Sequence, residues 1–213
     1  MDSSFWHQRW NENDIGFHEA DTNPLLIKHF SALPVNPGAR IFLPLCGKSL
    51  DALWLLSQGF HVLGAELSAL AVEQLFSGMQ VNPTKTELGS VVRYSAQNID
   101  IFVGDIFDVS AEQLGNVDAV YDRAALVALP EEIRKKYVPH VINITGAAYQ
   151  LLLSYSYDQS LMDGPPFSIT PEEVERRFAG TYQLSLLDDV EIPGGLKGRC
   201  AATERVWLLS PQE

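Results

Sequence analysis

Residue type and spacing could do chemistry at a few places in this chain: Trp6 and Trp10, Glu66, Asp105 within Val103-Gly104-Asp105-Ile106, and the adjacent pair Asp122-Arg123. Trp6 and Trp10 stand at i and i+4, so a helix puts both indoles on one side. Aromatic faces attract a cation by roughly 0.5–2 kcal/mol where water is excluded, although such a pair also serves as plain core. Glu66 lies nineteen residues beyond Gly47. An acidic residue there, at the end of a second strand, characteristically accepts the hydroxyls of an adenosine ribose; a strand-end surface carboxylate is the structural alternative. Asp105 could reach an adenine amine or simply make a turn. Arg123 is planar and permanently charged, which suits a carboxylate, a purine ring or an anionic substrate atom, or else an ion pair with Asp122.

The loop Pro44-Leu45-Cys46-Gly47-Lys48-Ser49 sets the context for these residues. Gly47-Lys48-Ser49 would suggest a phosphate loop, but that motif needs a glycine five positions earlier, where Phe42 stands. The three-glycine dinucleotide fingerprint fails as well. A ribose contact without a pyrophosphate cradle favours S-adenosylmethionine over NAD. No histidine is visibly paired with Cys46, so it reads as a small packed residue rather than a nucleophile. His7, His18, His29, His61 and His140 form no ligand-spaced pair, and no metal is expected.

The elements that must hold these residues alternate. Residues 40–45 read as a buried strand, followed by a helix capped by Ser49 and stopped at Gly59. Residues 61–65 form the next strand, with Ser68 capping the helix after it. Residues 80–97 read as a polar, irregular excursion with turn signals at Asn82-Pro83 and Gly89-Ser90. Strands follow at 99–103, 117–121 and 149–154. Pro130 opens a helix that Pro139 should bend or interrupt, and Thr170-Pro171-Glu172-Glu173 is a capping box. Residues 182–190 and 201–209, joined by a Gly-rich loop without a helix, should pair antiparallel. The expected fold is therefore α/β: a mostly parallel seven-stranded sheet with one antiparallel strand and helices on both faces. Periodicity alone leaves a nicotinamide-binding domain open.

Lengths and charges bound the rest. The 213 residues suit one domain, spanning 1–213, with residues 1–35 as an N-terminal helical lid. A net charge of −12 repels phosphate backbones, so no nucleic-acid partner is expected. No apolar run reaches the ~20 residues of a membrane span, and the two cysteines, Cys46 and Cys200, fit a reducing compartment; a cytoplasmic monomer is expected.

The chain resembles the thiopurine S-methyltransferase family, in its bacterial branch, nearly end to end. The matching segments are Trp6-His7-Gln8-Arg9-Trp10, Gly16-Phe17-His18, Phe42-Leu43-Pro44-Leu45-Cys46-Gly47-Lys48, Gly64-Ala65-Glu66, Ile106-Phe107-Asp108, Tyr121-Asp122-Arg123-Ala124-Ala125-Leu126-Val127-Ala128 and Gly164-Pro165-Pro166-Phe167. The Pro-Leu-Cys-Gly-Lys loop is highly specific to that family. The resemblance implies a class I methyltransferase fold, with Trp10, Leu45, Glu66, Ile106 and Arg123 lining the pocket of the donor, S-adenosyl-L-methionine, and Phe17 on the acceptor side; Trp6 and Arg123 are expected to bind the acceptor as well. It implies transfer to the sulfur of a small-molecule thiol such as a thiopurine, or to selenium or tellurium. Asp105 stands where relatives often carry Ser. Residues 191–200 align poorly with the animal members, and any second basic residue at the acceptor falls there, with Lys197 and Arg199 as candidates. A proximity mechanism assisted by Arg123 needs no dedicated catalytic base. Rival expectations are a methyltransferase acting on oxygen or nitrogen, which would demand a positioned base, and a non-catalytic binder of donor or chalcogen compounds.

Overall fold

A computed structural model describes residues 3–212. Nine strands form one sheet: β1 (Arg40–Pro44), β2 (His61–Glu66), β3 (Thr84–Leu88), β4 (Val91–Ala96), β5 (Ile99–Val103), β6 (Ala119–Arg123), β7 (Tyr149–Tyr157), β8 (Tyr182–Glu191) and β9 (Ala202–Pro211). Their order is β3-β4-β5-β2-β1-β6-β7-β9-β8. The five central strands, from β5 to β7, are all parallel, and β9 enters antiparallel between β7 and β8. These seven are the expected sheet. The fourth strand lies two residues later than the apolar run 117–121 indicates, which carries Arg123 to its last position.

Residues 80–97 are not an irregular excursion. They fold into the hairpin β3–β4, turned at Gly89-Ser90 and added antiparallel to the edge of β5. Only Val91 and Tyr94 of β4 are buried, and no residue of β3 is. A hairpin so exposed needs few apolar residues, so its sequence carries no strand-like apolar run.

Helices cover both faces. They are α1 (Ser3–Asn11), α2 (Pro24–His29), α3 (Leu50–Ser57), α4 (Ala69–Gly78), α5 (Ala111–Leu114), α6 (Glu131–Ile144) and α7 (Pro171–Phe178). Alternation along β1 sorts the core: Ile41 and Leu43 join Leu26, Leu55 and Phe76 of α2, α3 and α4. Phe42 points the other way, into a cluster with Tyr137 and Val141 of α6 and Phe178 of α7. Full burial of a side chain such as Phe42 stabilises by roughly 1.5–3 kcal/mol.

The expected caps are present. Ser49 accepts the Asp51 amide, Ser68 the Ala71 amide and Thr170 the Glu173 amide. The reciprocal half of the box at Thr170 is replaced, because the Glu173 carboxylate turns to Arg134 and Arg177. Helix α6 runs through Pro139 rather than ending there. Tyr137, Val138, Val141 and Ile144 are buried on either side of the proline, and their packing offsets the ~3 kcal/mol that an interior proline costs.

Candidate functional site

The chain proceeds from β1 outward to β2 and β5, then returns to β6 on the other side of β1, so strand order reverses between β1 and β6. A ligand-binding crevice is expected outside the carboxyl ends of strands at such a point. Leu45 follows β1 with φ 47° and Ala124 follows β6 with φ 70°, both in the left-handed region. Non-glycine residues held there cost of order 1–3 kcal/mol each and cluster at functional sites.

Glu66 ends β2 and is buried. Its Oε2 accepts the Gly47 amide at 2.8 Å and its Oε1 the Ser68 amide at 2.8 Å. Burial raises its pKa, and the amides of Ser68, Gly47 and Leu67 pull the other way without cancelling the rise. The surface-carboxylate alternative is thereby excluded. Each carboxylate oxygen has a second lone-pair direction, so a hydroxyl donor can be added without breaking the amide bonds.

Trp10 is buried, and its indole lies over the loop after β1: a Cβ built on Gly47 would stand 3.1 Å from Trp10 Cζ2. Phe17 joins the two tryptophans edge to face, with centroids 5.5 Å from Trp10 and 5.7 Å from Trp6. The Lys48 ammonium sits 5.9 Å from the Trp10 ring and bonds Gln74 at 2.8 Å. Leu45, Glu66, Trp10 and Phe17 are thus brought to one end of the sheet, linked through Gly47.

Arg123 closes β6 mostly buried, and its guanidinium pairs with Glu19, from the segment between α1 and α2. The ion pair with Asp122 does not form. Asp122 instead accepts the Tyr137 hydroxyl at 2.7 Å and the Leu126 amide at 3.1 Å, and burial pushes its pKa up to about 6 despite those bonds. Burial works against the Arg123 charge, but Glu19 above all, with Tyr155 and Tyr121, outweighs it.

Asp105 is exposed and its Oδ1 accepts the Phe107 amide at 3.0 Å, capping the turn at Ile106–Asp108. Ile106 beside it is buried, and its carbonyl accepts the His140 Nε2–H at 2.8 Å. Cys46 is buried, with its thiol pKa pushed well up by burial and then by Glu66; it is a packed residue. Lys197 Nζ donates to the Pro165 carbonyl at 2.8 Å, and burial, then Arg9 and Arg199, lower its pKa.

Sequence reasoning missed several residues that the fold adds. Glu19 is the partner of Arg123. His18 stands close enough to feel Lys48 and Arg123, which, after burial, lower its pKa. Tyr155 of β7 and Glu204 of β9 face each other across the sheet. The motif Gly16-Phe17-His18 was a signal for the first two; a pair of polar residues on two distant strands carries none. Among the described residues no helix is long and apolar enough to cross a membrane.

Comparison with known proteins gives the architecture and the site a family. A methyltransferase from Anabaena variabilis, dependent on S-adenosylmethionine, superposes with a TM-score of 0.65 over 99% of this chain and 95% of that one, at 17% identity. The Burkholderia thailandensis 1,6-didemethyltoxoflavin N1-methyltransferase, solved with S-adenosylhomocysteine, superposes with a TM-score of 0.65 over 98% of this chain and 87% of that one, at 14% identity. At such identities the likeness establishes the fold, that of methyltransferases using this donor. Sequence likeness is far closer. The thiopurine S-methyltransferase of Xanthobacter autotrophicus is 53% identical over 98% of this chain and 99% of its own length. That of Teredinibacter turnerae is 50% identical over 99% of this chain and 98% of its own. The family profile of thiopurine S-methyltransferase matches residues 1–208, and the chain belongs to that family, whose methyl donor is S-adenosylmethionine.

Proposed function

We infer that the protein methylates the sulfur of aromatic and heterocyclic thiols, thiopurines among them, by direct in-line displacement, with selenium and tellurium compounds as further acceptors. The observation that carries this reading is the gathering of Trp10, Glu66 and Arg123 at the carboxyl ends of β1, β2 and β6 in a chain of this family.

S-adenosylmethionine supplies an electrophilic methyl group on a sulfonium cation. The residues present suit it. The Glu66 carboxylate, fixed by two amides, would take the ribose hydroxyls, and Leu45 and Ile106 give apolar walls. Asp105 would meet the adenine amine through the oxygen that does not cap its turn. Trp10 would face the sulfonium and exclude water. Phe17 and Trp6 would border the acceptor, and Arg123 would favour an acceptor that carries negative charge. A free thiol has a pKa of ~8.5 and conjugation to a heterocycle lowers it, so a thiolate is accessible near neutral pH. Rate enhancement then comes from alignment and water exclusion.

We read residues 1–213 as one methyltransferase domain with residues 1–35 as its lid, acting as a cytoplasmic monomer on small molecules. Incubating the purified protein with labelled donor and a panel of thiol, selenol, hydroxyl and amine acceptors tests the function. Turnover confined to amines or alcohols would replace it, and donor binding without turnover on any acceptor would make the protein a binder.

A further inference from the structure

Beyond the residues so far assigned, the cleft holds a carboxylate with no role. Glu204 stands on β9 directly across from Tyr155 of β7, and Leu153, two residues before Tyr155, is in register with Arg123 of β6. Side chains two apart share a face of the sheet, so Arg123, Tyr155 and Glu204 line up across three neighbouring strands on one face, toward the carboxyl end. Glu204 Oε1 is buried without a hydrogen-bond partner among the described residues. A buried carboxylate oxygen left unpaired costs about 1–3 kcal/mol or more, and with the Tyr155 hydroxyl acting on the same carboxylate, Oε1 is still open to a donor from outside the chain.

We propose that Glu204 accepts the proton of methyl acceptors that enter the cleft protonated, as a thiol S–H or as the ring N–H of a heterocyclic thione. The proposal rests on the thiol reading above. Glu19, which pairs with Arg123 and follows Phe17 and His18 in the chain, lies close enough to Glu204 to act on its charge. In the reaction the S–H or N–H bond breaks and its proton passes to the Glu204 carboxylate. The electron pair released, directly or through the conjugated ring, makes sulfur the nucleophile. Sulfur bonds the methyl carbon while the carbon–sulfonium bond breaks, its pair remaining on the donor sulfur. The proton later leaves Glu204 for solvent, so the products are thioether, S-adenosylhomocysteine and one proton.

The groups around Glu204 suit that task. Burial raises its pKa first and Glu19 second, while Arg123 and the Tyr155 hydroxyl hold it down without cancelling the rise. A carboxylate made more basic in this way is better matched to a heterocyclic thiol than an exposed one. Tyr155, its own pKa pushed up by burial and then by Glu204, stays a neutral hydrogen-bond donor. On its own strand the next residue, Arg205, is turned to Asp189 at 3.1 Å on β8, so it does not neutralise Glu204.

The test is E204Q, compared with wild type at saturating donor on two acceptors: an aryl thiol with electron-withdrawing groups, ionised at the assay pH, and a heterocyclic thione still protonated there. A general base contributes about 10²–10⁴-fold, so E204Q should slow the protonated acceptor by about 10²-fold or more and the ionised one by less than about threefold. Raising the pH above the thione's own pKa should restore the E204Q rate, a recovery that a purely structural defect would not show. If E204Q does not fold, E204D carries the same comparison, since it keeps the charge and loses reach. Equal slowing of both acceptors, or of neither, overturns the role of Glu204 while leaving thiol methylation standing. Wild-type turnover on neither thiol overturns the thiol reading itself.

Discussion

The Glu66 carboxylate holds the Gly47 amide at 2.8 Å, tying the end of β2 to the loop after β1, and the Trp10 indole rests on that same glycine. One contact chain therefore joins the proposed ribose acceptor to the N-terminal helix. The consequence is that Glu66 cannot be removed as a ligand contact alone.

Glu66→Ala would leave the buried amides of Gly47 and Ser68 unpaired, at about 1–3 kcal/mol each, so it should lower both stability and donor affinity. Glu66→Gln keeps one acceptor oxygen and the side-chain volume. Calorimetry should show E66Q losing donor affinity by roughly tenfold or more, since hydrogen bonds to a charged acceptor contribute about 1.5–3 kcal/mol, with a smaller loss of melting temperature than E66A. Unchanged affinity in a folded E66Q would remove Glu66 from the site.

Gly64 and Cys46 should be coupled. A Cβ on Gly64 would stand 2.5 Å from Ile101 Cδ1 and 2.8 Å from Cys46 Sγ. Gly64→Ala should cost about 1–3 kcal/mol as overpacking. Removing the sulfur by Cys46→Ala should return part of that loss in the double variant, by denaturant titration. Cys46→Ser alone should keep most activity, because the sulfur has no covalent role; near-complete loss in a folded C46S protein would contradict direct transfer.

The positions of these residues were legible to unequal degrees. The seven main strands stand out because buried parallel strands are written as short apolar runs, 40–45 and 61–65 being the clearest, and the caps at Ser49, Ser68 and Thr170 because a polar residue before such a pattern has a local reason. The β3–β4 hairpin is too exposed to need that pattern. Glu66 could be placed because strand end and spacing are both local. The Arg123–Glu19 pair joins residues over a hundred positions apart, and nothing in Asp122-Arg123 says that each would choose another partner.

Two buried carboxylates should give opposite pH signatures. Asp122 has its pKa raised by burial to about 6, above its unfolded value of ~3.9. The native state therefore takes up a proton first, and stability should rise as pH falls from 7 toward 5. Glu173 is the reverse: burial raises its pKa, but Arg177 and Arg134 more than compensate, and the net shift is downward. Its contribution is present above the unfolded pKa of ~4.3 and is lost as pH falls through the lower folded value. Denaturant titrations across pH should show the first limb missing in D122N and the second in E173Q.

Glu173→Gln should also be costly at neutral pH. The carboxylate bonds Arg134 Nε at 2.8 Å and Arg177 Nε at 2.6 Å, tying α7 to α6 with all three side chains nearly buried. Losing the anion leaves two cations inside, and breaking a buried pair costs about 3–5 kcal/mol. Donor affinity should change little in the folded variant, because the hydrogen bonds and ion pairs of Glu173 run to Arg134, Arg177 and Thr170 and to no residue assigned to the donor. A loss under about 1 kcal/mol would mean that water takes over both guanidinium groups.

The N-terminal segment that we propose as a lid should answer to Gly47. Trp10 of helix α1 lies against Gly47, and Trp6 and Trp10 both pack edge to face on Phe17. Gly47 has φ 54°, and an added Cβ would meet the indole at 3.1 Å, so Gly47→Ala strains the loop and pushes Trp10 outward together. Tryptophan fluorescence should shift toward that of exposed indole, and amide exchange at residues 3–18 should quicken while the sheet stays protected. Donor binding to the wild type should do the opposite, slowing exchange at those residues, because a cation and its adenosine beneath the indole add contacts that hold the helix down. Deleting residues 3–18 should then leave a folded protein with poor donor affinity. If the deletion unfolds the sheet, Trp10 is core and not lid; if the truncated protein binds donor normally, the indole has no part in the site.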